Sequence, residues 1–330
     1  MSGPWGWRPP QPALMRQAAS LIRLEGDDSL RVLHGQTSAA IDGARPGQWI
    51  ATCCISPTAR LRALAEVLVD GDGAWLAVWG GDGERVHQAL DRVLFPADRV
   101  RLQPPQPGWL LTPVPGEQEL PAAAEPGSWQ ALEGGGWQLG SGALGLGLLL
   151  RQQAVLPPTW AAREPMGAAQ QERWRIQSGL PSAPGEINDD HNPFELGLAD
   201  RVSLSKGCYV GQETLAKLAT YDGVKQLLRR WHWPAAAAAA ALAAGRPAPA
   251  PGQVLHDPSA ADDGSRLGVI SSALALASGD WIGLALVRRR ALAHPQLQAG
   301  RGDMAARLEI SVPDGFVRPP VGAGAQAQGS

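Results

Sequence analysis

Phenylalanine and tyrosine are nearly missing from this 330-residue chain, with three and two copies against thirteen tryptophans. Core filling, and any stacking on a flat ligand, therefore falls mainly to tryptophan. Cysteine is as scarce: there are three, and Cys53 and Cys54 are adjacent, which excludes a disulfide framework. The N-terminus also lacks a basic-then-apolar signal pattern, so a reducing, cytoplasmic setting is expected. Net charge is only −2, with 18 % of residues charged. No basic face follows, and direct nucleic-acid binding has no compositional support. The longest apolar run, Leu144 to Leu150, falls far short of the roughly 20 residues that cross a bilayer, so no membrane contact is expected. The phosphate loop G-x-x-x-x-G-K-[ST], the dinucleotide G-x-G-x-x-G, H-E-x-x-H and G-x-S-x-G are all absent.

The length suits two or three domains. Residues 1–12, rich in proline and tryptophan, read as a poorly ordered leader. Leu21–Glu25 reads as a strand, followed by a helix capped at Asp27 or Asp28 and carrying Leu30, Leu33 and His34. Trp49–Ile55 is strand-like, Leu61–Val69 fits strand or helix, and the turn Asp70-Gly71-Asp72-Gly73 predicts a hairpin into Ala74–Trp79. Helical spacing over Gly83–Leu94 and a strand at Val100–Leu102 complete an α+β unit. From Pro104 to Pro158 proline and glycine dominate and little is legible. Ala168–Ser178 predicts a helix stopped by Gly179. The alanine run after Pro234 offers no anchoring side chains and is read as an inserted loop or linker, whereas Leu267–Ser271, Trp281–Val287 and Ala306–Val312 read as strands of a small barrel or sandwich.

Chemistry concentrates in Ser205-Lys206-Gly207-Cys208-Tyr209-Val210-Gly211-Gln212-Glu213-Thr214. A free thiol is only about 3 % thiolate at pH 7, and both a cation two residues away and a following helix start would raise that fraction. The competing reading is a tight connection around a buried, inert cysteine. Cys53 and Cys54 lack ligand-spaced histidines or a C-x-x-C pattern; strand packing accounts for them better than metal binding, and no metal site is expected. The acidic loop Asn188-Asp189-Asp190-His191 matches no ligand spacing, and Arg288-Arg289-Arg290 reads as a solvated strand end.

The segment Lys206-Gly207-Cys208-Tyr209-Val210-Gly211-Gln212-Glu213 resembles the signature of the YgfZ-type folate-binding proteins, relatives of the aminomethyltransferase (T-protein) of the glycine cleavage system. Resemblance extends through Gly26–Asp42, Trp174–Pro181 and Phe194–Ser203. Departures are Val32 for a frequent aromatic residue, Ala59 for a glycine, and Gln177 for the glutamate of an Arg-x-Glu-x-Gly helix end. The resemblance implies an α+β fold built as a three-part ring that ends in a small β-barrel, with tetrahydrofolate in a central channel. The implied division is a split folate-binding domain (1–50 and 150–228), an α+β domain (51–149), a barrel domain (229–317) with an Ala/Pro-rich insert at 234–252, and a disordered tail (318–330). It further implies that Cys208 and Lys206 carry the chemistry, that Arg175, Tyr209, Gln212 and Glu213 contact the folate, and that iron–sulfur proteins, among them tRNA-thiomethylating enzymes, are clients. The chain lacks the Arg-Thr-Gly-Tyr-Thr-Gly-Glu segment and the Asn-Ala pair of true aminomethyltransferases. A folate-dependent accessory factor is thus the first reading, a folate-dependent aminomethyl- or methyl-transferase the alternative, and a folate module with a structural cysteine the third.

Overall fold

A computed structural model describes residues 3–114, 125–142, 145–259, 265–302 and 305–322. Its first part is a sheet of β1 (Ala13–Glu25), β2 (Trp49–Ile55), β3 (Leu61–Asp70), β4 (Gly73–Gly81), β5 (Arg101–Leu102), β6 (Gln106–Val114), β7 (Trp129–Leu132), β8 (Gly136–Gly142), β9 (Gly145–Arg151) and β10 (Glu164–Pro165). The main order is β2-β3-β4-β1-β6-β9-β8-β7, with β5 and β10 also paired to β1. Successive β1 residues explain its central place. Leu21 enters a core shared with Ile176, Phe194 and Leu215, whereas Ile22 and Leu24 enter a second core on the other face, so both faces of the strand are covered.

The helices are α1 (Ser29–Gln36), α2 (Gly83–Asp91), α3 (Pro158–Ala161), α4 (Ala168–Ser178), α5 (Gln212–Thr220) and α6 (Ala235–Ala243). Leu33 of α1 and Val86 and Leu90 of α2 fill the second core. α4 stops where expected, with Gly179 in the left-handed region at φ 74°.

The last part is a closed barrel of β11 (Gln226–Trp233), β12 (Val254–His256), β13 (Gly268–Ala275), β14 (Trp281–Arg288), β15 (Gln296–Ala299) and β16 (Ala306–Ser311), in the order β11-β14-β13-β12-β15-β16. Trp231 and Trp233 fill its interior. Gly283 on β14 is required there, because a Cβ would lie 2.0 Å from the Ser272 carbonyl and 2.4 Å from the Trp231 ring.

Three expectations change. The leader is packed: Trp5 meets the His232 ring edge-on under the Arg230 guanidinium, and the Trp7 carbonyl accepts from Gln177. Tryptophan rings supply enough apolar area to dock a segment that has no periodicity. The alanine run is a helix, since Ala238 and Ala241 fit against the barrel core and Asp280 accepts from the Ala235 N–H at its start. Small side chains permit that close approach, so lack of an anchoring group does not make the segment a loop. Finally, β1 bonds along its length to β4 and β6, so the sheet runs across the boundary drawn at residue 50. Of the tail from 318 onward, residues 323–330 lie outside the described residues. No helix among the described residues is long and apolar enough to cross a membrane.

Replacing buried Ala238 with Asp should therefore cost about 3 kcal/mol or more in chemical denaturation, because an unpaired carboxylate enters the barrel wall. Ala240→Glu, on the exposed face of the same helix, should change stability by less than about 0.5 kcal/mol.

Candidate functional site

The cysteine loop is held from both sides. Before Cys208, the Lys206 ammonium donates to the carbonyls of His34, Thr37 (2.7 Å) and Ala39 (2.7 Å), at and just beyond the C-terminal end of α1. Cationic side chains are favoured there because carbonyls at a helix end carry partial negative charge. Burial pushes the Lys206 ammonium down to about 7. The three acceptors oppose that shift, since a neutral amine has only two N–H donors for three oxygens. The contact is reciprocal: His34 Nδ1 accepts from the N–H groups of Ile41 and Asp42, leaving Nε2–H to donate to the Lys206 carbonyl at 2.8 Å.

After Cys208, the Tyr209 ring enters the main core and lies 4.3 Å from the Lys206 Nζ. Its hydroxyl is buried without a partner among the described residues, and burial raises its pKa well above the usual phenol range. Gly211 then approaches Ser56 and Ala59 so closely that a Cβ would sit 2.8 Å from the Ser56 carbonyl. Ala59 itself adopts φ 59°, so the position where the related pattern has glycine does require the left-handed region. Between these anchors Cys208 projects into solvent, while Cys53 and Cys54 are buried. Desolvation pushes both buried thiols up to about 12.

The predicted site is not brought together as one cluster. Lys206, read from the sequence as the charge that activates Cys208, directs its ammonium to three carbonyls instead. Gln212 opens α5, and Glu213 is exposed and paired with Lys217 at 2.6 Å. Arg175 lies elsewhere, on a groove of about 900 Å³ that includes none of residues 205–214. All five of its N–H groups are satisfied: Nε and Nη2 by Glu172, Nη1 by the Leu180 carbonyl and Glu186, and Nη2 also by Ser272.

A second, less open cavity of about 490 Å³ is a better binding site. It is lined by Arg8 from the leader, Met15 of β1, Thr112 of β6, Trp174 and Gln177 of α4, Asp200 and Arg201, and Phe316 and Val317 beyond the barrel. Every major part of the chain contributes to it. Gln177 Nε2 donates to the Trp7 carbonyl, and its Oε1 is buried without a partner among the described residues. Asp200 is exposed, and its charge acts on neighbouring Arg201. Arg201, by contrast, is fixed: it is buried against Glu66 at 3.0 Å and donates to the carbonyls of Thr52 and Ala65. Beside Phe316, the Arg229 guanidinium is buried 5.3 Å from the ring, bonded among the described residues to the Leu228 carbonyl alone, and pushed down to about 10 by burial and by Arg318. Sequence reading missed Arg229, Asp200 and Phe316, since nothing local marks a strand arginine as unpaired. Gln177 was visible as a departure from pattern. Among the described residues no group of three or more His, Cys, Asp or Glu side chains is placed to hold a metal ion.

Lys206→Met should lower unfolding free energy by about 2–4 kcal/mol, because it leaves three carbonyls without donors. In the native protein an alkylating reagent should label Cys208 alone, with Cys53 and Cys54 reacting only after denaturation. Rapid native labelling of either buried thiol would show that the β2 face opens.

No family model matches the chain. It is 28 % identical over 228 residues to a chloroplastic protein of Arabidopsis thaliana assigned provisionally as a transferase. The match covers 63 % of this chain and 52 % of the plant protein, so the chain spans about half the length of that relative. A shorter match, 34 % identical over 65 residues, links 19 % of the chain to 17 % of an aminomethyltransferase from Symbiobacterium thermophilum. The crystal structure of the glycine cleavage system aminomethyltransferase T from Bartonella henselae is similar with a TM-score of 0.69 at 16 % identity, covering 94 % of this chain and 88 % of that one. The chain thus has the aminomethyltransferase fold, an α+β body followed by a six-stranded barrel.

Proposed function

We propose that the protein belongs with the YgfZ-type folate-binding proteins, holds a reduced folate in the cavity beside α4, and uses Cys208 as an accessory thiol toward iron–sulfur client proteins. The observation that carries the folate reading is the cavity itself. It combines the Trp174 ring, with the Arg8 guanidinium 5.4 Å from its centre, the buried Gln177 Oε1, which has no partner among the described residues, the exposed Asp200 carboxylate, and a nearby arginine without a carboxylate partner among the described residues, Arg229. A folate has the matching parts: a flat pterin with polar edges, an aromatic linker and a glutamate with two carboxylates. Trp174 would cover a ring, Phe316 the linker, and Arg229 with Arg318 the glutamate. Bound tetrahydrofolate would supply one-carbon groups or reducing equivalents on its pterin.

Support for the thiol role is the placement of Cys208. It is exposed between two anchored neighbours, and Lys206 serves to fix the loop rather than to face the sulfur. Such a thiol can reach a protein-bound acceptor that could not enter the cavity. The competing reading, a folate-dependent aminomethyl- or methyl-transferase, draws on the fold and on the short match to an aminomethyltransferase. Against it stand the missing Arg-Thr-Gly-Tyr-Thr-Gly-Glu and Asn-Ala segments.

Titration of the purified protein with tetrahydrofolate should give saturable binding, and Arg229→Gln should weaken it by about tenfold, with a smaller salt dependence. Cys208→Ser should leave that affinity within about twofold yet fail to restore iron–sulfur enzyme activity in cells lacking the protein. Full rescue by the serine variant would remove the thiol role. Release of ammonia and methylenetetrahydrofolate from an aminomethyl donor would instead establish the transferase reading.

A further inference from the structure

We infer that the leader, residues 3–12, is a plug that competes with the ligand for the cavity beside α4; the inference rests on the folate reading of that cavity. Prolines at positions 4, 9, 10 and 12 carry no N–H, so the segment cannot extend the sheet as a further strand. Rings and cations hold it instead. Trp5 lies 4.6 Å from the Arg230 guanidinium, Trp7 lies 4.8 Å from that of Arg173, and Arg8 reaches to 5.4 Å from the Trp174 ring centre. Arg8 is exposed, and Trp5 and Trp7 are half-buried. Cation–π pairs in such places shift an equilibrium by only about two- to fivefold each, so the leader can be dislodged without unfolding the body. Movement stops at Pro12, whose carbonyl accepts from the Glu164 N–H, because β1 begins at the next residue.

The docked leader occupies what the ligand needs. Stacked aromatic rings place their centres about 4.5–7 Å apart, and the Arg8 guanidinium stands in that shell over Trp174. Both side chains line the cavity, so a ligand ring on this wall and the guanidinium exclude each other. Gln177 is engaged in the same way: its Nε2 is held by the Trp7 carbonyl, while its Oε1 has no partner among the described residues. Departure of the leader frees a donor beside that acceptor. The docked leader is therefore the closed state, and ligand binds the fraction of molecules from which it has lifted. Trp5 sets that fraction from outside the cavity, since it meets Arg230 and His232 on the barrel and is not part of the lining.

The test is calorimetric titration of the full chain with 5-formyltetrahydrofolate, comparing wild type, Trp5→Ala and Arg8→Ala. Both variants should bind at least about threefold more tightly than wild type, one by loosening the leader and the other by clearing the Trp174 ring. A second readout leaves the leader contacts intact. A nitroxide on Gly3→Cys, where a side chain meets nothing within 4 Å, is placed in a Cys208→Ser background so that the label has one exposed thiol. Saturating ligand should make its motion faster. Weaker binding by R8A would make Arg8 a ligand contact and overturn the plug. Affinities within about twofold of wild type in both variants, or label motion unchanged at saturation, would overturn it too, and in each case the folate reading stands. Absence of binding to wild type and to both variants would remove the folate reading, and the plug with it.

Discussion

A guanidinium of helix α4 helps tie the barrel to the rest of the molecule, beside the bond from Arg230 of β11 to the Gln177 carbonyl. Arg175 binds Glu172 on its own helix, the Leu180 carbonyl after it, buried Glu186 in the following loop and Ser272 on β13. Glu186 is fully buried and accepts from Arg175, Ser182 and Ser272. Removing the arginine would leave a carboxylate with no counter-charge in the interior, a loss on the order of 3–5 kcal/mol. Such a knot fixes more than stability. With Arg175 directed at the barrel, helical geometry turns Trp174, Gln177 and Ser178 to other sides, and all three line the cavity beside α4.

The cysteine loop uses the same device on a smaller scale. A charged group is taken partly out of water and compensated by several fixed acceptors, so the backbone around it cannot drift. Lys206 does this for the loop and Arg201 for the cavity wall. Lys206 stands two residues before the exposed thiol of Cys208, and Arg201 directly follows exposed Asp200. Cations held this way act as mounts for the side chains beside them.

This arrangement explains what could be read from the residues. Strand and helix identity in β3, β4 and α4 followed from hairpin turns, periodicity and a glycine stop, which are local signals. The cysteine motif was legible because it is compact. The direction of the Lys206 side chain was not, since its partners at 34, 37 and 39 are distant in sequence and are backbone atoms. Arg175 was legible as important, but its four partner residues come from three segments, and sequence position alone cannot tell a guanidinium that is saturated from one that is free. Arg229 shows the converse: a strand arginine gives no sign that it lacks a carboxylate. The leader and the alanine helix were misread because both dock through shape, tryptophan rings in one and close approach in the other, and shape has no periodic signature.

The pairing of β1 has a temporal consequence. Its partners lie at residues 73–78, 101–102, 106–114 and 164–165, and the barrel closes only when β16 reaches β11. Long-range contacts of this kind form slowly, because distant segments must meet before any bond rewards them. During synthesis the first strand must therefore wait, half-paired, for chain that emerges much later. The cavity beside α4 waits longest, as its wall includes both Arg8 and Val317. Ligand binding there would report that Met15 and Val317, far apart in sequence, have been brought to one wall.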